Sequence, residues 1–252
     1  MRLAAWLTAS FLTLSPFVAS NARAALIDLG PGSFPPLASV ISFAEVPVGT
    51  VNPTFTFNGV PTLGSVTISF AGHFVGQAAG GSPTVTLTDH TPTGPLALDA
   101  ASPDTVTVND TAAVSSPVLS GTPTFNGPIS ILFSVPVSAV GLTAGFFDVV
   151  NGTTIEAYGA GGNILGSITN TKEGFQFFGL ADSSDNNVIK GISLFITGDE
   201  PFPFGFAIDD VTFGATPPTP VPEPATLILL GSSAAGILAV ARRRKWGSNP
   251  EA

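Results

Sequence analysis

The sequence predicts an all-β chain, a two-sheet β-sandwich with one C-terminal transmembrane helix, and three observations predict it. Short runs of alternating apolar and polar residues recur between turn-forming residues from position 39 to 213. No stretch between 25 and 220 keeps a helical period with caps. Residues 225–241, ATLILLGSSAAGILAVA, carry no charge and are followed at once by Arg242, Arg243, Arg244 and Lys245. As a helix that run spans roughly 25 Å, enough to cross a thin bilayer.

At the N-terminus Arg2 precedes an apolar stretch, 3–18, that ends in Ala22-Arg23-Ala24. This is the pattern of a signal peptide over 1–24 with cleavage between Ala24 and Ala25. Pro16 suits a segment that is cut; a retained helix would instead make a two-span protein.

Trimming both ends exposes a charge asymmetry. Residues 25–220 hold fifteen acidic and two basic side chains, Lys172 and Lys190, for a net charge of −13. Such a surface repels phosphate backbones and anionic membranes, which argues against nucleic-acid binding. The chain has no cysteine, so disulfides, thiolate metal sites and thiol nucleophiles are excluded. Residues 25–214 are enough for one large all-β domain.

In chain order, 25–36 reads as an extended lead-in rich in Gly and Pro. Strands are expected at 39–44, 54–57, 66–70 and 84–88, with a Gly/Ala-rich loop at 76–83. The 89–128 stretch, interrupted by six prolines, is expected to hold one strand at 105–108 and otherwise loops or edge strands. Strands then follow closely at 129–135, 137–142, 154–158, 164–168, 175–180, 188–196 and 206–213. Asn151-Gly152 reads as a two-residue turn, 159–162 as a glycine turn and 182–187 as an acidic hydrated loop. This many short strands with long loops fits a jelly-roll-like sandwich. Residues 215–220 form a proline-rich stalk.

Val221, Pro222, Glu223 and Pro224, the apolar run and the basic cluster stand in that order within 221–246, before a short tail at 247–252. Together they resemble the PEP-CTERM sorting signal of Gram-negative bacteria. The resemblance implies an exosortase-type membrane protease as partner, recognition at Pro222-Glu223-Pro224, and transient anchoring in the inner membrane with the ectodomain outside. The four cations stay cytoplasmic under the positive-inside rule. An ordinary single-pass anchor shares the same hydropathy.

Within the ectodomain, 206–213 reads FAIDDVTF and 41–45 reads ISFAE. With 153–158, 163–168 and 175–179 these resemble jelly-roll ectodomains of PEP-CTERM proteins and, more loosely, carbohydrate-binding modules. That resemblance implies a structural Ca²⁺ held by Glu45, Asp209 and Asp210. Hard carboxylate oxygens suit Ca²⁺. Adjacent Asp209 and Asp210 point to opposite faces of a strand unless a bulge intervenes, and the alternative reading is that either only hydrogen-bonds a neighbouring loop. Asp182, Asp185, Asn186 and Asn187 do not fit an EF-hand loop. Phe202 and Phe204 read as aromatics packed on the sandwich edge, with sugar stacking as the alternative.

Catalytic chemistry is thin. His73 and His90, the two histidines, form no zinc-ligand pair, and neither a nucleophile elbow nor a phosphate loop is present. Carboxylate pairs drawn from Glu45, Glu156, Glu173 and the aspartates carry little weight among so many acids. The expected protein is non-enzymatic: exported, sorted to the surface or extracellular matrix, structural or adhesive, and in contact with extracellular polysaccharide. The alternative is a lectin-like carbohydrate-binding module, Ca²⁺-dependent or not.

Overall fold

The computed structural model describes residues 26–34, 38–81, 85–110, 117–183, 186–197 and 205–214. The expected signal peptide and its Ala24/Ala25 cleavage point, the stalk, Val221 to Pro224, the 225–241 helix, the basic cluster, the tail, Asp185, Phe202 and Phe204 lie outside them. Among the described residues no helix is long and apolar enough to cross a membrane.

The strands are β1 (Leu26–Asp28), β2 (Ser39–Ile41), β3 (Thr54–Val60), β4 (Gly64–Ala71), β5 (Ala78–Ala79), β6 (Leu87–Asp89), β7 (Thr105–Val108), β8 (Val118–Gly121), β9 (Ile129–Val137), β10 (Ala139–Phe147), β11 (Thr153–Tyr158), β12 (Ile164–Thr169), β13 (Gly174–Asp182), β14 (Ile189–Ile196) and β15 (Ala207–Gly214). The first sheet has seven strands, ordered β1-β13-β10-β15-β8-β7, with β2 also paired to β15. The second has six, ordered β12-β11-β14-β9-β4-β3, and β5-β6 form a separate ribbon. The ladders between named strands are antiparallel.

Alternation places the core between the two main sheets. On β11 Ile155 and Ala157 face inward, and on β14 Ile192, Leu194 and Ile196 do the same. They meet Val140, Leu142, Phe178 and Leu180 of the first sheet. Phe43 is fully buried, edge-on to Phe55 and Phe70 at 6.0 and 5.5 Å between ring centroids. Its φ of +58° ends β2 at Ile41, short of the expected 39–44 strand. A bulky residue at positive φ is strained, and here aromatic packing holds it there.

Other differences share a physical cause, the dominance of long-range pairing over local pattern. The lead-in supplies β1, which pairs with β13 through Leu26↔Asp182. The proline-rich 89–128 stretch contains β8, buried at every residue and paired with β7 and β15. Asn151-Gly152 does not close a hairpin within one sheet; it joins β10 of the first sheet to β11 of the second, with Asn151 at φ +64° and its amide bonded to Asn170. The 159–162 turn does close the β11–β12 hairpin, Gly162 taking φ +79°.

Residues 72–81 and 85–99 lie across the outer face of the second sheet. Phe74 and Leu96 pack with Tyr158, Leu98 and Leu132 in a second, smaller core. Gly191 of β14 makes room for it, because a Cβ there would press on the Phe74 ring and the Ile131 carbonyl. This covering segment defines the floor and wall of the site described next.

Candidate functional site

Thr154, Glu156 and Tyr158 occupy the face of β11 opposite the core residues Ile155 and Ala157. The register sets Glu156 across from Ser193 of β14 on one side and Ser167 of β12 on the other, and Ser193 across from Ser130 of β9. A polar row therefore crosses four strands of a sheet whose other face is apolar. Ser130 and Ser193 share a 2.6 Å hydrogen bond between hydroxyls.

The covering segment brings His90 and Gln77 onto this row. His90 Nδ1 donates to Glu156 Oε2 at 2.6 Å, and Tyr158 Oη lies 2.9 Å from the same oxygen. Tyr158 Oη is also 2.9 Å from the His90 carbonyl, but the phenol has one proton and the carboxylate is the stronger acceptor. Gln77 Nε2 donates to Tyr158 Oη and to the His90 carbonyl, both at 3.0 Å. Burial first, and the Glu156 charge second, push the Tyr158 phenol well above its ordinary value. The Glu156 side chain is 7% exposed and that of His90 48%. The imidazole lies near-parallel to the Phe195 ring, 5.6 Å between centroids.

Beside this network opens a cleft of about 470 Å³ lined by Thr86, Leu87, His90, Thr154, Glu156, Ser167, Phe195, Ile196 and Thr197. It offers one carboxylate, one imidazole, several hydroxyls and an apolar floor. Sequence reading singled out Glu156 only as one acid among many and His90 only as the start of a loop. It missed Gln77, Tyr158, Ser193 and Phe195. The one local signal is the period-two run Thr154, Glu156, Tyr158, which marks a polar outer face without naming its partners.

The three expected Ca²⁺ ligands are placed as follows. The 39–44 segment and the closing strand are neighbours, with Ile41 opposite Val211. A bulge does interrupt β15 between Asp209 and Thr212, which is how Ile208 and Val211, three apart, both reach the core; Asp210 takes φ +50° there. Asp209 is buried and its Oδ1 accepts the Asp210 amide at 2.8 Å. Glu45 is exposed and its Oε1 accepts the Ser42 amide and hydroxyl at 3.2 and 3.1 Å. Among the described residues no group of three or more His, Asp or Glu side chains is gathered for a metal ion. A Ca²⁺ there would have to draw most of its six to eight ligands from elsewhere.

Asp182 ends β13, buried, and its Oδ2 accepts the Asn186 amide at 2.8 Å, so the acidic loop is closed by its own first residue. His73 is buried, 3.9 Å from the Asp99 carboxylate beside the antiparallel Phe74↔Leu98 bridge.

Residues 220–245 match the PEP-CTERM protein-sorting motif. The chain carries a PEP-CTERM sorting signal. The PEP-CTERM match covers Val221 to Pro224, the apolar run and the basic cluster, and it implies an exported, surface-sorted protein processed by an exosortase. A search of curated proteins finds no match to the chain. Among solved structures, one similar chain is a glycoside hydrolase family 43 arabinoxylan arabinofuranohydrolase from Bacillus subtilis, at 10% identity and TM-score 0.30. The match covers 66% of this chain and 41% of that one. Another is the C-terminal family 22 carbohydrate-binding module of Clostridium thermocellum Xyn10B, at 10% identity and TM-score 0.22, covering 81% and 92%. Likeness this distant fixes neither fold nor ligand.

Proposed function

We propose that this is a non-enzymatic structural or adhesive protein of the cell surface or extracellular matrix. An N-terminal signal peptide exports it, the C-terminal helix holds it in the inner membrane, and an exosortase processes it near Pro222-Glu223-Pro224. The observation that carries the reading is the match of residues 220–245 to the sorting motif. An acidic, cysteine-free sandwich suits a soluble surface role in contact with polysaccharide. The passage of the chain between sheets at β9–β10, β10–β11, β12–β13, β13–β14 and β14–β15 supports a jelly-roll-like arrangement. Replacing Pro222, Glu223 and Pro224 with alanine tests the reading in the native host. Accumulation of full-length chain in the inner membrane supports it, and unchanged surface display contradicts it.

A second reading, a lectin-like carbohydrate-binding module, is favoured by the hydroxyl-lined cleft beside Glu156. Nothing in that reading requires Ca²⁺ at Glu45, Asp209 and Asp210. This reading is of binding without turnover: among the described residues lining the cleft the carboxylate is that of Glu156, whereas glycoside hydrolysis ordinarily uses two.

A further inference from the structure

We infer that the cleft between the β11–β14 face and the covering segment binds a neutral saccharide unit, with Glu156 and the surrounding hydroxyls taking the sugar's hydroxyl groups. This rests on the carbohydrate-binding reading and deepens it by assigning the site and the charge class of the ligand.

Size comes first: about 470 Å³ lies within the range of small-molecule sites. The lining chemistry then narrows the class. Thr86, Thr154, Ser167 and Thr197 each carry a hydroxyl that both donates and accepts, which matches a ligand bearing several hydroxyls of its own. Phe195 and Leu87 add apolar atoms to the lining, with the half-exposed His90 imidazole lying over the Phe195 ring.

Glu156 is the anchor. The bonds from His90 and Tyr158 both land on Oε2, which locks the orientation of a nearly buried carboxylate that lines the cleft. An acceptor held this way loses little freedom when a ligand hydroxyl arrives. His90 fixes one wall through the same bond. Glu156 and Thr154 stand on β11, Ser167 on β12 and Phe195 on β14, so this part of the lining is held by paired strands rather than by loop tips.

Charge selects against other ligands. The ectodomain carries −13 over residues 25–220, and a second carboxylate brought beside Glu156 would be repelled. Sugars bearing carboxylates are therefore disfavoured. An amine is not required, because the Glu156 carboxylate already accepts from His90 and Tyr158.

The test is titration calorimetry of the full chain in a zwitterionic detergent free of sugar headgroups. The probes are neutral gluco-, galacto-, manno- and xylo-oligosaccharides, chitosan oligosaccharides for the amine class and oligogalacturonates for the acidic class. Saturable binding of at least one neutral series is expected, weakened tenfold or more by Glu156→Gln. Because Glu156 is buried and its replacement can unsettle the network, the exposed Ser167 supplies a second variant. Ser167→Phe fills the cleft and is expected to abolish binding while leaving the melting temperature unchanged. Neutral binding that survives Ser167→Phe at full strength would overturn the cleft assignment and leave the carbohydrate-binding reading standing. Binding confined to amine-bearing or acidic sugars overturns the charge class. No binding to any series overturns both the inference and the reading on which it rests.

Discussion

His90 and Glu156, 66 positions apart in the chain, meet across the outer face of the second sheet with 2.6 Å between Nδ1 and Oε2. That bond, with the Gln77 and Tyr158 contacts beside it, fastens segment 72–99 to the sheet. Without His90 the buried carboxylate keeps Tyr158 alone. His90→Ala is expected to cost about 1–3 kcal/mol, the usual range for a hydrogen bond to a buried charged group. Chemical denaturation measures the loss, and hydrogen exchange should localise faster opening to 72–99. A variant as stable and as protected as the parent would show that this bond does not hold the segment down.

Tyr158 is the one tyrosine of the chain, so its ionisation can be followed without ambiguity. Its phenol is raised above the ordinary value by burial and then by Glu156. A folded-state pKa above the unfolded one favours the fold while the phenol is protonated. The contribution is complete below the unfolded value of about 10 and is lost as pH climbs toward the folded value. In a spectrophotometric titration the phenolate band should therefore stay absent as pH passes about 10 and emerge only with unfolding. Ionisation near the ordinary value in the folded protein would contradict the buried network.

Gly121 ends β8 where the chain doubles back, and a Cβ there would overlap the Gly127 and Pro128 carbonyl oxygens. Both obstacles are backbone, so the loop has to move. Gly121→Ala is expected to destabilise by about 1–3 kcal/mol. Gly32→Ala faces open space and should change stability by less than about 0.5 kcal/mol. Equal melting of the two variants would refute the close approach.

Strand positions were legible where the period-two pattern was strong. The 105–108, 154–158 and 164–168 expectations fall on β7, β11 and β12 within a residue at each end. The all-β class and the two-sheet sandwich followed from that pattern together with the missing helical period. Less legible was β8, whose sequence Val118-Leu-Ser-Gly is too short to show a period and which gains its burial from β7 and β15. Phe43 fell inside the expected 39–44 strand, because a positive φ on a phenylalanine leaves no local signature. The cleft was hidden for the same kind of reason. Period two announces that Glu156 faces away from Ile155 and Ala157, but only the tertiary path of 72–99 brings His90 to it. By contrast the sorting signal was legible in full, since its parts are contiguous and act through composition rather than through a fold.

The central claim is that the C-terminal segment is a temporary handle. Intact mass spectrometry of the surface-exposed protein from its native host tests it most directly. The account predicts a mature chain that begins at Ala25 and ends near residues 222–224, whereas a surface form retained through Ala252 would contradict it and make the segment a plain membrane anchor.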